Sequence, residues 1–279
     1  MSNIVTNYNT HQIGESINNV PMLYADKDVR DYASDITRRE RKQFSLDELK
    51  SKLKNAIADQ DLAKYGLKVG DYATVTHEIE GVTKTFNYVI AGLNTMKGTS
   101  TPYRLNYNHV GLVLDTNVTH AWNSDGTTTS SSGYANSELH TFLKSTILPI
   151  VKGDLGAENV KSHNKLLTIG VNANGYNRFG DATGCSSNWT WSDESICALS
   201  EVQVYGSTVW SSSGYDTGEA CRQLDVFRVY NMNEIFGGRY PWLRDVASAS
   251  RACHVSGYGN ANNNPASDAD YVAALILFA

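Results

Sequence analysis

The sequence is poor in charged residues and in proline, and it has no long apolar run. Charged residues make up 19% of the 279 positions, with 5 prolines and a formal net charge of −5. This balance disfavours a basic chain that binds nucleic acid through phosphate contacts. No apolar run approaches the roughly 18 residues of a membrane span, and the first residues lack the features of a secretory signal. We therefore expect no nucleic-acid partner and no membrane insertion.

Cysteine is also scarce, and its few copies are scattered. Cys185, Cys197, Cys221 and Cys253 stand far apart and form no C-x-x-C pair. This spacing does not offer the clustered ligands of a zinc site. It indicates buried, free thiols in a protein that is assembled in a reducing cytoplasm.

The other potential ligands give no metal-binding pattern either. None of the 7 histidines has another histidine four residues away. Asp216 and Glu219 are candidate oxygen ligands for Ca²⁺, but the spacing of an EF-hand loop is missing. We predict that the protein has no metal site and no cofactor.

Catalytic motifs are missing as well. The chain has no G-x-G-x-x-G after a strand, no P-loop and no G-x-S-x-G elbow. Asp181, Asp193 and Glu194 flank Trp189 and Trp191, as in some sugar-processing sites, although structural aromatics beside solvated acids are the commoner explanation. We predict that the protein is not an enzyme.

What the sequence has instead is an excess of uncharged polar residues and tyrosine. It contains 22 glycines and 16 tyrosines, and aromatic residues make up 10% of the chain. This aromatic content argues against disorder. The clearest element is a helix that begins after Ser45, forms a capping box with Glu48, and ends at Gly66. Its apolar stripe needs a partner, either the following domain or the same helix of another subunit.

Short strands and long loops follow this helix. The patterns predict a hairpin of residues 71–78 and 85–93, a strand at 109–115, a helix over 133–150 that has Pro149 at its end, and strands at 165–171, 196–205, 226–229 and 272–278. The final strand is apolar throughout, so we expect it to be central and buried. Two main helices beside short strands and long loops predict an α+β domain.

The segment from Arg251 to Tyr271 differs in composition from the rest. It is dense in Ser, Gly, Asn, Asp and Tyr, and Val255 is its only large aliphatic residue. The same residue types dominate antibody binding loops, where Tyr provides contact area and the small polar residues provide hydrogen bonds. The segment lies between the framework-like stretch Trp242–Val246 and the apolar final strand. We therefore expect a binding surface on loops anchored by rigid elements.

Several blocks of the chain resemble phage and prophage variable proteins of diversity-generating retroelements. The most specific block is Tyr240-Pro241-Trp242-Leu243-Arg244-Asp245-Val246-Ala247-Ser248. Further blocks, in the same order along the chain, are 66–72, 132–137, 201–207 and 223–227. The resemblance covers about three quarters of the chain. It implies a C-type-lectin-like domain, with short strands, two main helices and long loops.

In these systems, a reverse transcriptase rewrites codons at adenines in a C-terminal variable region. The resemblance implies that Val255, Gly259, Ala261, Ala266, Ser267 and Val272 are scaffold positions. It implies a variable region at about 250–271, with these ligand-binding residues: Arg251, His254, Ser256, Gly257, Tyr258, Asn260, Asn262, Asn263, Asn264, Asp268 and Asp270. All of them are reachable from an Asn codon by changes at adenines.

The chain departs from the family pattern at two places. Where the family often has G-V-R-P, this chain has Tyr271-Val272-Ala273-Ala274, so Tyr271 joins the candidate ligand-binding residues. The Glu-Pro-Asn and Gln-Pro-Asp triplets of calcium-dependent lectins are missing, and Asn264-Pro265-Ala266 does not replace them. The resemblance therefore implies neither calcium nor carbohydrate.

These expectations define a domain plan and a function. We expect an N-terminal arm (1–44), an amphipathic helix for attachment or oligomerisation (45–66), and a C-type-lectin-like domain (67–279). The resemblance implies a non-enzymatic, virion-associated protein whose variable surface binds a host cell-surface protein or glycan. Its N-terminal region would contact other virion proteins, and the protein would be a homo-oligomer. Two alternatives stay open: a purely structural virion or tail protein, and an oxidase with paired cysteines, which the scattered cysteines disfavour.

Overall fold

The computed structural model describes residues 40–97, 105–128, 133–172, 185–211 and 223–279. The strands are β1 (Gln43–Phe44), β2 (Tyr72–Ile79), β3 (Val82–Leu93), β4 (Val110–Ala121), β5 (Val160–Lys161), β6 (His163–Asn172), β7 (Cys185–Glu194), β8 (Trp242–Ser248), β9 (Arg251–Val255), β10 (Ala261–Pro265) and β11 (Ala269–Phe278). The α-helices are α1 (Leu46–Asp59), α2 (Glu138–Phe142), α3 (Leu148–Leu155), α4 (Glu201–Tyr205), α5 (Asp225–Val229) and α6 (Met232–Phe236). This arrangement confirms the predicted α+β class.

The strands form three sheets, of which the largest holds the centre of the core. Its order is β1-β2-β3-β4-β11-β5, and all its pairs are antiparallel except β1 with β2. β11 pairs with β4 over most of its length, and every residue from Val272 to Phe278 is buried. The prediction of a central, buried final strand is therefore confirmed. The predicted β2–β3 hairpin is also present, with its turn at Glu80-Gly81.

Helix α1 begins where the sequence predicts but does not reach Gly66: it ends at Asp59, where Gln60 takes the left-handed conformation with a φ of 55°, and Gly66 closes a separate 3-10 turn, Ala63–Tyr65. The Glu48 N–H donates to Ser45 Oγ at 3.2 Å, which is the N-cap half of the capping box. Leu49, Leu53 and Ala56 of α1 are fully buried in the same core as the main sheet. The apolar stripe of this helix therefore has its partner within the chain.

The second helical segment continues beyond the predicted end at Pro149. α2 leads into a π-helical turn (Leu143–Ile147), and α3 then continues to Leu155. Within this turn the Leu148 N–H donates to the carbonyl of Leu143, five residues earlier. The wider turn directly precedes Pro149, whose ring conflicts with the regular bonding pattern. The helical segment therefore continues beyond Pro149 instead of ending there.

Two predicted strands are wrong. The C-terminal part of 196–205 is helix α4, and 226–229 belongs to helix α5. Ser200 and Gln203 form a capping box at the start of α4. The Gln223 side-chain amide donates to the carbonyls of Val204 and Phe227, at 2.7 and 3.0 Å, near the ends of both helices. Such short helices depend on tertiary partners, which β-propensity does not reflect.

Several residues named in the sequence predictions lie where the structure gives no description. Residues 1–39 of the predicted arm, together with Asp181, Asp216, Glu219 and Cys221, lie outside the part of the chain that the structure describes. Among the described residues, no helix combines the length and the apolar character that a membrane crossing requires.

Candidate ligand-binding surface

The segment predicted as a binding loop is largely β-structure. β9 and β10 form an antiparallel hairpin, and β8 pairs with the other side of β9, so the sheet order is β10-β9-β8. The expectation of a loop at residues 251–255 and 261–265 is therefore wrong. Asn has low strand propensity, but pairing with an already supported strand can override such preferences. β9 provides that support, because Ala252 to Val255 are all buried.

The hairpin presents the predicted residues on two faces. Neighbouring residues of a strand point to opposite faces, and residues paired across an antiparallel ladder share a face. Asn262 pairs with His254 and Asn264 pairs with Ala252, so these side chains lie on one face. Asn263 pairs with Cys253, which places it on the other face.

His254 was predicted to contact a ligand, but its residue surface is only 1% exposed. Its Nδ1 lies 2.7 Å from Asp270 Oδ2, and Asn264 Nδ2 donates to the same oxygen at 2.9 Å. The His254 ring stacks against Tyr240, with centroids 5.8 Å apart, and lies 6.0 Å from the ring of Trp242. His254 is therefore a positioning residue beneath the surface, and its prediction as a direct contact is corrected.

The Nε2 atom of His254 has a different environment from Nδ1. It is buried and has no hydrogen-bond partner among the residues that the structure describes. Such orphan nitrogens are rare in folded proteins, because burial removes their water without replacing it. The Tyr240 ring, which stacks on the His254 ring, is itself 44% exposed.

The turn of the hairpin runs from Ser256 to Asn260. The Asn260 N–H donates to Ser256 Oγ at 3.1 Å, and the Ser256 N–H donates to the Asn260 carbonyl at 2.8 Å. Ser256 is buried, and both its hydroxyl and its backbone bond within the turn. It therefore supports the turn, and the prediction that it contacts a ligand is wrong. Tyr258 at the tip is 89% exposed. The turn thus holds one aromatic side chain out in solvent.

Two glycines of this turn have distinct constraints. Gly259 has a φ of 86°, a left-handed conformation that favours glycine. Gly257 has a different problem, because a Cβ there would lie 2.8 Å from the Gly238 carbonyl oxygen and 3.0 Å from the Tyr240 hydroxyl. Gly257 was predicted to vary, but its surroundings leave no room for a side chain.

Arg251 and Asn263 form a pair on the other face of the hairpin. Arg251 Nε donates to Asn263 Oδ1, and Arg251 Nη2 donates to the Asn263 carbonyl at 2.7 Å. Both residues are half-buried. The Trp210 indole N–H donates to the Ala261 carbonyl at 3.2 Å, which fixes β10 from outside the hairpin.

β11 carries the remaining predicted residues before it enters the core. Asp268 is exposed in the connection from β10, while Asp270 and Tyr271 are half-buried at the start of β11. The pairing of β11 with β4 shifts register between Tyr271 and Ala273, which marks a β-bulge. The Tyr271 N–H donates to the Tyr240 carbonyl at 3.1 Å. The bulge separates the surface end of this strand from its buried end.

The structure brings most of the predicted residues into one region. Tyr258, Asn260, Asn262 and Asp268 are exposed, and Arg251, Gly257, Asn263, Asn264, Asp270 and Tyr271 are half-buried. Tyr240 was missed as a candidate, because the resemblance assigns it to the block 240–248 and not to the variable region. Its aromatic ring just before the framework-like stretch Trp242–Val246 was the available signal.

The two cysteines whose side chains the structure describes are in environments that make them poor nucleophiles. Cys197 and Cys253 are free and buried. Burial raises the pKa of the Cys197 thiol, and burial followed by the nearby Glu201 raises the pKa of Cys253 well above its ordinary value. Such thiols stay protonated and are poor nucleophiles. These two residues agree with the prediction of buried, free thiols.

The acidic residues around Trp189 and Trp191 have structural partners. Glu194 is buried, and its carboxylate lies 3.0 Å from His140 Nε2. Burial alone would raise the pKa of Glu194, but hydrogen bonds from His140 and Ser192 outweigh it and keep the pKa below its ordinary value. Asp193 accepts a hydrogen bond from Ser162 Oγ at 2.7 Å. Within the described ranges, no three potential ligands cluster to hold a metal ion.

Comparison of the chain with protein-family models, with curated proteins and with solved structures gives no match.

Proposed function

We propose that this protein is a non-enzymatic, virion-associated protein of a phage or prophage that displays a diversified ligand-binding surface on a C-type-lectin-like domain. One observation carries the proposal. Three of the six positions that the resemblance gives as scaffold, Val255, Ala266 and Val272, are fully buried. Tyr258 and Asn262, which it gives as variable, are exposed. Sequence change at exposed positions leaves the core intact, so one fold can carry many surfaces.

The support beneath the surface is suited to this role. β9 is paired on both sides, and its residues from Ala252 to Val255 are buried. The Tyr205 hydroxyl donates to the Gly259 carbonyl at 3.4 Å, which holds the turn from outside the hairpin. Binding residues on a rigid scaffold lose less conformational entropy when a ligand binds.

The buried members of the segment have a supporting part in the proposal. His254 orients Asp270 through Nδ1, and Ser256 closes the turn. A change at either position alters the arrangement of exposed neighbours without touching the ligand. Arg251, Tyr258, Asn260, Asn262, Asn263, Asn264, Asp268, Asp270 and Tyr271 are proposed as the contacting residues.

Attachment to the virion is proposed for the N-terminal region. The apolar stripe of α1 is packed into the chain's own core, so residues 1–39 are left to contact other virion proteins. A few polar contacts on a small surface bind weakly. Display of several copies can raise the overall affinity by on the order of 10²–10⁴ where the spacing of receptors permits.

The test exchanges the contacting residues as a set and leaves the scaffold unchanged. We expect the variant to assemble as before but to adhere to different cells, because assembly and recognition use separate residues. Adhesion is measured by binding of labelled, purified protein to a panel of bacterial cells. The matched control exchanges Thr76, Glu78, Glu80 and Thr83, which are exposed on the β2–β3 hairpin. Unchanged adhesion after the exchange contradicts the proposal, and lost assembly favours the purely structural alternative.

A further inference from the structure

Two exposed tyrosines belong to the hairpin or lie against it: Tyr258 is in the turn, and Tyr240 comes from the segment before β8. The Tyr240 ring stacks on His254, and its hydroxyl would lie 3.0 Å from a Cβ on Gly257, the residue before Tyr258. His254 shares a face with Asn262 and bonds to Asp270, which in turn bonds to Asn264. We call Tyr240, Tyr258, Asn262, Asn264 and Asp270 the tyrosine–asparagine patch.

The polar members of the patch each have an atom left for a ligand. Asn262 Oδ1 accepts from the Asn263 N–H at 2.9 Å, which leaves its Nδ2 group to donate. Asn264 uses its Nδ2 on Asp270, which leaves its Oδ1 to accept. Asp270 receives His254 and Asn264 on Oδ2, and its Oδ1 has no hydrogen-bond partner among the described residues. Donors and acceptors side by side match hydroxyl groups, which can do both.

The charges near the patch disfavour an acidic ligand. The Arg251 guanidinium is occupied by Asn263, on the opposite face of the hairpin. The Arg239 guanidinium is paired with the buried carboxylate of Asp115. Asp270 itself would repel a ligand carboxylate, since its free oxygen carries negative charge.

The lack of aliphatic side chains in the patch favours a sugar over a protein as its ligand. No member of the patch is aliphatic, whereas the centre of a protein interface is usually apolar. The negative face of a tyrosine ring can instead stack on the C–H groups of a sugar, while the amides bind its hydroxyls.

We propose that the tyrosine–asparagine patch binds a neutral oligosaccharide without calcium. The inference rests on the proposed function and names its ligand class. One sugar ring stacks on Tyr258, and hydroxyls of the same oligosaccharide bond to Asn262, Asn264 and Asp270. His254 acts as a positioning residue, because it holds Asp270 from below.

The test uses the full chain on an array of oligosaccharides. The array carries neutral glucose, galactose, mannose and N-acetylglucosamine series beside sialylated counterparts, and binding is read in EDTA. We expect binding to neutral spots only. Tyr258→Ala should weaken it by roughly tenfold or more, whereas Tyr258→Phe, which keeps the ring, should weaken it by only about threefold. Tyr107→Ala is the matched control, since Tyr107 is also exposed but lies outside the patch.

Three outcomes overturn the inference: no binding to neutral spots, binding that requires calcium or sialic acid, and binding that Tyr258→Ala leaves unchanged. Periodate treatment of the cells used in the segment-exchange experiment separates this inference from the proposed function. Adhesion that survives periodate but not protease treatment indicates a protein receptor. The proposed function then stands while the saccharide inference fails. No adhesion to any cell contradicts the proposed function itself.

Discussion

The β4–β11 pair and the β9–β10 hairpin are both antiparallel ladders, but different side chains hold them together. From Val110 to Leu114, β4 is apolar apart from Gly111, and it faces the buried, apolar end of β11. β10 consists mainly of asparagines and has no fully buried side chain. The β4–β11 ladder gains its stability from the side chains of both strands, whereas β10 depends on the buried side chains of its neighbouring strand, β9. A surface of the second kind can change its sequence at little cost in free energy of unfolding.

The test with the largest expected effect shortens one side chain in each ladder to alanine. Leu275→Ala removes a buried side chain from β11, and we expect it to lower the free energy of unfolding by roughly 3 kcal/mol. Asn262→Ala in β10 should change it by less than about 0.5 kcal/mol, because that side chain is exposed. Urea unfolding of the full chain measures both. Equal losses would show that the two ladders do not differ in the way described.

The second test concerns His254, a buried polar residue of the hairpin. His254→Ala removes the ring between Tyr240 and Asp270, and we expect a loss of about 2 kcal/mol. The double variant His254→Ala/Asp270→Ala should cost less than the sum of the single variants, since both lose the same bond. Additive losses in the urea experiment would mean that the two side chains are not coupled.

The smallest expected effect is at the turn. Gly257→Ala places a methyl group against the Gly238 carbonyl and the Tyr240 ring, and we expect a loss of about 1 kcal/mol. Asn260→Ala, three residues away and exposed, should have almost no effect. Thermal unfolding of the two variants measures the difference. If Gly257→Ala is as stable as the original chain, the turn can move and this position is free to vary.

The elements that the sequence predicts well are those with local signals. α1 has a serine cap and a regular apolar stripe, and β11 ends in an unbroken apolar run. The α+β class follows from such elements. The C-type-lectin-like fold and the virion role derive from the resemblance and stay proposals.

The elements that the sequence does not predict depend on distant partners. The asparagines of β10 give no strand signal, and only pairing with β9 makes them a strand. The burial of His254 depends on Asp270 and Tyr240, which come from other parts of the chain. The capping box of α4, at Ser200 and Gln203, was visible in the sequence but was outweighed by the β-branched residues around it. Local pattern predicted where the patch lies but not which side chains point outward.

The position of β11 has a consequence for how the protein is made. β4 and β11 pair although about half of the chain lies between them, so the main sheet closes only after its last strand is synthesised. Such distant pairings form slowly, because a long loop must be ordered first. The same strand carries Asp270, a member of the tyrosine–asparagine patch. A chain interrupted before β11 thus lacks part of its core as well as a complete patch, which makes display of the proposed recognition surface conditional on the synthesis of β11 and its pairing with β4.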